Sequence, residues 1–434
     1  MKEYPEIFHS CLFLKGKNMY AVNRVDYIKI STFMFLYFVV WTMSFSLYAI
    51  WLGQHAALSS AAIGAVFAVN GAFAVVLKPF YGYITDKLGM KKHLLYFVAI
   101  MSALLMPFFV YIYHPLLISS FPIGVVVGAI YLSLAWYAGV AVSESYCDRF
   151  GRLKGFEFGR IRMWGSCGAA VTASFAGVLF NISPVINFTI SSIVSLIMLA
   201  VLMSIKIPET DNAENAVVPA KKINMADVRE LIMQGEFWRF CFYVAGIVWF
   251  MHIAEQQFPR YFVSFFHGDK AGNSWYGYLS TVQAIVEFIS MLTVPWIVNK
   301  LGARKTLIIA GLLIGTRLLI SGFATSPLMI AFIKPFYGLE NSLLLISVFK
   351  YIAVNFDKKV NSTMYLIGYQ CFIYIGTIFV SAPVGYLYDR IGFGHSYFIM
   401  GAIIIIFSLM SIFVLSRDDK QISYPKSISN RSLS

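Results

Sequence analysis

ESYCDRFGRLKGFEFGRIRMWGSCG, residues 144–168, sets a lone carboxylate, Glu144, at the end of one long apolar segment and a lone guanidinium, Arg162, inside the next. The turn is expected at Arg152-Leu153-Lys154, midway between them. In an antiparallel helical hairpin, about nine residues on either side at ~1.5 Å rise put both charges at one depth, roughly 13 Å beyond the turn. An ionised side chain at that depth costs several kcal/mol unless it is paired or faces a water-filled cavity. Two readings follow. The pair either pins two helices together or lines a polar cavity and holds a polar solute.

The rest of the 434-residue chain points to the same solvent. It is 59% hydrophobic and 13% charged, with a mean hydropathy of +0.71. Soluble domains carry about 25% charged residues, so the composition is that of a membrane protein. Apolar stretches long enough to span recur throughout. Twelve are expected, starting near Tyr27, Ala61, His93, Leu116, Phe156, Val185, Phe237, Trp275, Lys305, Leu328, Ser362 and Phe393.

A net charge of +13 invites a nucleic-acid reading, but the basic residues sit in alternate loops: Lys87, Lys91 and Lys92; Arg149, Arg152 and Lys154; Lys300, Arg304 and Lys305; Lys358 and Lys359. The opposite loops hold few, Arg260, Lys270 and Arg390. That asymmetry places both termini and the central loop in the cytoplasm. No nucleic-acid partner is expected. The five cysteines lack pairing or metal-ligand spacing and read as small apolar fillers. The first 26 residues lack a short apolar core followed by a small-residue cleavage site, so the first span reads as an anchor.

The second span closes on GYITDKLGMKK, where Gly82, Asp86 and Gly89 suit a tight turn with a carboxylate near a helix end. A near copy, WIVNKLGARK, returns in the second half. Like motifs six spans apart indicate two parallel repeats. The expected organisation is a tail over 1–26, a six-helix bundle over 27–206, a polar central loop over 207–236, a second six-helix bundle over 237–416 and a tail over 417–434.

Polar residues concentrate in the second half. Span seven carries His252 and Glu255, span eight Gln283 and Glu287 on one face, span nine Arg317, and span ten Lys334, Tyr337, Glu340 and Asn341. His252 reads as a buried, hydrogen-bonded imidazole. Glu255 and Lys334 are tolerable as a pair. Glu287, Arg317 and Glu340 leave a charge over, which marks a solute or proton path. Enzyme signatures (a phosphate-binding glycine loop with its lysine, HExxH, a nucleophile elbow) do not occur, so the energy source is expected to be a gradient, without a cofactor.

Over residues from about Asp26 to Arg417 the chain resembles the major facilitator superfamily, and within it the oligosaccharide–proton symporters, the group of lactose, raffinose and sucrose permeases. GYITDKLGMKK matches the superfamily loop. AGVAVSES, FEFGRIRMWGSCG, EQQF, FKYIAVNFDKK and YLIGYQ match the group, and SLYAIWL with NFDKK leans toward sucrose permeases. The resemblance implies that Glu144 and Arg162 bind sugar, that Glu255 and Lys334 form an interhelical charge pair, and that Arg317 and Glu340 move the proton, on Glu340. It also shows departures. The family's sugar-contacting Trp falls on Ala169, with Trp164 nearby. Its span-eight Glu falls on Ala284 while Glu287 stands one turn later. Its span-ten His is Tyr337, and a second charge pair becomes His252 and Ile373.

The expected fold is therefore all-α, twelve transmembrane helices in two bundles. The expected function is proton-coupled uptake of a disaccharide or small oligosaccharide, sucrose-like above galactosides, across a bacterial inner membrane by a monomer in contact with lipid. Glu144, Arg162, Glu287, Gln283 and Trp164 are the expected sugar ligands, with Tyr48 a further stacking ring. Glu340, Arg317 and Tyr337 are the expected coupling residues. A proton-driven exporter, a channel and a non-transporting sugar sensor are the alternatives, the last requiring an output domain.

Overall fold

In a bilayer each backbone N–H must be satisfied within its own segment, and long apolar runs meet that demand only as helices. The computed structural model describes residues 24–156, 158–206, 229, 231–356, 361 and 364–416, and every regular element among them is helical. The spans are α1 (Arg24–Gln54), α2 (Ser60–Leu88), α3 (His93–Ala103 continued by Leu105–Ser119 through a 47° bend), α4 (Phe121–Gly151), α5 (Phe158–Ile182) and α6 (Pro184–Ser204). The second half holds α7 (Gly235–Val263), α8 (Asp269–Leu301), α9 (Ala303–Gly322) and α10 (Pro327–Asn355). The last continuous run, Met364–Val414, is two helices joined at Gly392, whose φ of 80° no helix contains. We label them α11 (364–391) and α12 (393–414). The described residues thus make twelve crossings. Residues 1–23 of the expected N-terminal tail, the expected C-terminal tail and most of the expected central loop, 207–228 and 230, lie outside the described residues, while Arg24 to Asp26 already belong to α1.

Local chemistry sets the ends. Ser59, Ser183 and Ser326 accept hydrogen bonds from first-turn N–H groups of α2, α6 and α10, and proline follows the last two at the first helical position. The fourth span starts at Phe121 rather than near Leu116. The backbone breaks from helix at Ser120, and Pro122 suits the first turn of a new one. The turn after α4 falls on left-handed Gly155, just past the expected triplet.

The repeat is visible in hydrogen bonds. Gly89 (φ 58°) closes α2 by donating to the Thr85 carbonyl, which also accepts from Arg149 at the end of α4. Gly302 (φ 88°) closes α8 by donating to the Val298 carbonyl, which also accepts from Lys350 on α10. A cation thus covers each helix's free carbonyl end. Gly82 meets nothing within 4 Å, and the Asp86 side chain lies outside the described part.

In the first half α1 packs on α5 and α6, and α2 on α4; in the second α8 packs on α10, and α9 on α10 and α12. The halves meet along two seams, α2 with α11 and α5 with α8. Both are tight at the end away from the chain termini. A Cβ on Gly64 or Gly385 would stand 2.3 Å from the Ser381 or Ser60 carbonyl oxygen, and one on Gly177 2.1 Å from that of Asn273. Gln54 and Asn273 bond across the seam, as do Asn181 and Ser274, and Asp389 accepts from the Ser60 and Ala61 N–H groups at 2.9 and 2.8 Å.

Tyr48, expected as a further stacking ring, lies instead with Trp51 in the core of the first half. Tyr48 is 1% exposed and shares a hydrogen bond with Tyr113 at 2.6 Å. It is not a stacking surface for solute. The apolar neighbours Leu47 and Ile50, themselves buried, carry it inside.

Overpacking costs about 1–3 kcal/mol, so Gly385→Val is expected to favour separation of this end about tenfold. The check is cross-linking between cysteines placed at Gln54 and Asn273. An undiminished yield in the Val variant would show that the seam does not depend on the glycine.

Candidate functional site

Between the seams lies a cavity of about 380 Å³, within the size range of small-molecule sites, about 300–1,000 Å³. Both halves line it. Trp41, Phe45, Phe67 and Tyr137 supply aromatic surface from the first, while Glu255, Gln283, Lys334, Tyr337 and Tyr374 supply polar groups from the second. Three of the lining residues follow closely on π-helical turns: Tyr137 ends Ser133–Tyr137, His252 follows Val244–Val248 and Tyr374 follows Met364–Cys371. Such turns insert a residue and re-aim the side chains after them. His252 departs from the expected buried imidazole: it is exposed into the cavity, its ring edge-on to Tyr374 at 6.4 Å.

A four-charge cluster reaches one wall through Glu255 and Lys334. Arg317 on α9 donates through Nε to Glu340 Oε2 at 2.7 Å, and both side chains are 2% exposed. Its Nη2 lies 3.1 Å from Glu255 Oε1, an ion pair without hydrogen-bond alignment, and Nη1 has no hydrogen-bond partner among the described residues. The other Glu255 oxygen accepts from Lys334. Two carboxylates and two cations leave the cluster neutral, the condition under which buried charge is tolerated. Arg317 and Lys334 both lie over the Tyr337 ring, at 5.5 and 4.5 Å from its centre. Lys334 reaches Glu255 because α10 breaks at Lys334-Pro335, where the Tyr337 and Gly338 amides form tight-turn bonds to the Lys334 and Pro335 carbonyls.

Glu144 and Arg162, set at one depth by their spacing, form a pair, Nε to Oε1 at 2.8 Å. Each is about one-third exposed (33% and 32%), unlike the sealed second-half cluster. The guanidinium also donates to Ser166 and stacks 4.2 Å above Phe38. Trp164 is exposed and donates to Tyr27, so it turns toward the terminal end of α1 and away from Arg162. Glu287 accepts from Asn341 at 3.0 Å and lies within the field of Arg162 across the α5–α8 seam. Gly338 makes that contact possible: a Cβ there would stand 2.6 Å from the Glu287 amide nitrogen. Glu255, Gln283, Lys334 and Tyr337 therefore line the cavity, while Glu144, Arg162, Glu287 and Trp164 stand outside its lining.

A family model described as LacY proton/sugar symporter matches residues 19–428. The chain belongs to that family. The symporter is 35% identical to sucrose permease of Escherichia coli over 394 residues, covering 90% of this chain and 94% of that one. It is 34% identical to raffinose permease of the same species, over 91% and 93%. Against melibiose permease of Enterobacter cloacae subsp. cloacae it is 36% identical over 88% and 91%. Among solved structures, nucleoside transporter NupG superposes with a TM-score of 0.72 at 14% identity, covering 91% of this chain and 100% of that one. A bacterial homologue of the lysosomal transporter Spinster gives 0.62 at 13%, covering 92% and 96%. Those two show the major facilitator fold alone. The symporter is a multi-pass membrane transporter, not an enzyme.

Sequence reasoning passed over the aromatic wall and Asp389, and noted Lys78 inside the second span without giving it a role. Neither of the two charges stood out by residue type alone. Lys78 and Asp389 gain meaning only from the facing half, Tyr374 for one and the start of α2 for the other.

Breaking one partner of a buried pair costs about 3–5 kcal/mol, whereas removing both leaves no orphan charge. Glu255→Ala or Lys334→Ala alone is therefore expected to lower the level of folded symporter in membranes severalfold. The double variant, which keeps Arg317–Glu340, is expected to recover most of it. A double variant no better than either single one would show that the two side chains are not coupled.

Proposed function

We propose that the symporter takes up a disaccharide or small oligosaccharide, sucrose-like above galactosides, together with a proton by alternating access, as a monomer in a bacterial inner membrane with both termini in the cytoplasm. The observation that carries the reading is a buried ion pair, Arg317–Glu340, joined through Glu255 and Lys334 to a polar cavity shared by both halves. The basic loops support the orientation. On that orientation the tight end faces outward, and this is the carrier closed to the outside.

Sugar hydroxyls call for forked donors and carboxylate acceptors, which Arg162, Glu144 and Glu287 provide around the terminal-side approach to the cavity. Gln283 extends the series inward by one turn from Glu287. Glu287, one turn past the family's span-eight Glu position, and His252 with Ile373 in place of a charge pair, support the preference for sucrose-like sugars.

The coupling follows from the cluster. A proton on Glu340 neutralises it and frees Arg317, whose Nη2 already faces Glu255 and whose two Nη groups lack hydrogen-bond partners among the described residues. The carrier then crosses with a neutral Glu340. After sugar leaves, Arg317 returns to Glu340 and the proton departs to the cytoplasm. Tyr337, ring-packed under both cations, holds them in place and itself needs no proton change.

Glu340→Gln imitates the protonated state. It is expected to retain sugar exchange across vesicle membranes and to lose proton-driven accumulation by about tenfold or more, since a glutamine cannot release the proton. Counterflow and active uptake measured on the same vesicles decide; normal accumulation would move the proton site elsewhere. Glu287→Gln is expected to raise KM for sucrose about tenfold, the worth of one charge-assisted hydrogen bond, with protein level unchanged. Equal effects on every sugar of a panel would remove Glu287 from specificity.

A further inference from the structure

Among the described residues, Lys78 is the one cation of the membrane interior whose charge the site described above does not use. It stands well inside α2 and makes no ion pair with a carboxylate among those residues. An ammonium at that depth has to be paired or to serve a polar cavity. Its Nζ donates to the Tyr374 hydroxyl at 2.9 Å and lies 4.3 Å from the centre of that ring. Tyr374 lines the cavity beside His252 and Thr377, with Gly71 of α2 facing them. The contact is the deepest of a row along the α2–α11 seam that runs from Ser60–Asp389 through Gly64–Ser381 and Gly71–Thr377.

The donor pattern matters. The Tyr374 oxygen accepts from an ammonium, and no described group takes the phenol's own proton. A phenol that accepts from a cation is a stronger donor through cooperative polarisation. The charge count agrees: Lys78 on one seam balances Glu287 on the other, the carboxylate left over once Glu144, Glu255 and Glu340 have paired.

We propose that Tyr374, polarised by Lys78, is a second sugar subsite, donating its phenol proton to an oxygen of the ring remote from Glu287. Tyr374 is the binding residue and Lys78 its positioning residue. The proposal rests on the uptake reading above and adds to it where the second ring of a disaccharide docks. No bond is made or broken.

The test is sucrose uptake by the full-length symporter in vesicles, with inhibition of that uptake by glucose and by fructose. Tyr374→Phe keeps the ring and the cation above it, Lys78→Met removes the cation, and Lys78→Arg restores one. Tyr374→Phe and Lys78→Met are expected to raise KM for sucrose about tenfold with the maximal rate retained. Inhibition by one of the two monosaccharides should weaken in parallel while the other stays at its parental value. Lys78→Arg should recover most of the KM. A mere latch between α2 and α11 would change the maximal rate and all sugars alike, and that result overturns the subsite. So does an unchanged KM in Tyr374→Phe at normal membrane level. Parental protein that takes up another sugar of a raffinose, melibiose and lactose panel but not sucrose overturns the sucrose preference alone, and the same variants are then read with that sugar. Parental protein that takes up none of them overturns the uptake reading and the subsite with it.

Discussion

A guanidinium sealed inside a membrane protein has to find carboxylate within hydrogen-bond reach, and Arg317 sets the arrangement of the second half by doing so. Its Nε fixes α9 to α10 at Glu340, and its Nη2 draws α7 close through Glu255. Lys334 can then be buried only because Glu255 has a second oxygen to offer. Each member is tolerable because of the others, so the cluster has few intermediate states between intact and rearranged. That property suits a proton switch, since protonating one carboxylate leaves a cation short of a partner and forces a new arrangement.

The two halves share a plan but divide the chemistry. Their matching helix ends, Gly89 with Arg149 and Gly302 with Lys350, keep the repeat legible where nothing is bound. Inside the membrane the second half carries the sealed cluster, while the first offers the partly exposed Glu144–Arg162 pair and an aromatic wall. A solute held between halves of such unequal polarity has its hydroxyls and its apolar faces served from different sides. Rings of the aromatic wall suit the C–H faces of a sugar.

Much of this could be read before any coordinates. Hydropathy indicated the number of crossings, because about twenty apolar residues per span is a strong signal. The Glu144–Arg162 spacing placed both charges at one depth, since both lie near one short turn, and their facing sides made it a contact. The α3–α4 boundary was misplaced because Leu116 to Phe121 is mostly apolar, and only Pro122 marks the new helix. Tyr48 was misread because an aromatic residue near a span end suits a solute-facing surface and a core equally. The π-helical turns leave no composition signal, so the aim of Tyr137, His252 and Tyr374 was hidden. The long-range partners of Asp389 and Lys78, and the contact of Arg317 with Glu255, were hidden for a different reason: they depend on which helices become neighbours, and periodicity along one helix does not contain that.

The Asp389 carboxylate has a consequence of its own. Helix N-termini leave free N–H groups that an acceptor must cover, and an acidic group there also meets the positive end of the helix dipole. At α2 that acceptor comes from α11, in the other half of the molecule. Under the alternating access proposed above, the start of α2 is thus finished by a residue that stays only while this end is shut. When the halves part, water and the neighbouring Ser59 hydroxyl, which already accepts from Ala62, must take over. A helix end that changes its solvent with each turn of the carrier makes the opening step sensitive to ionic strength on that face alone.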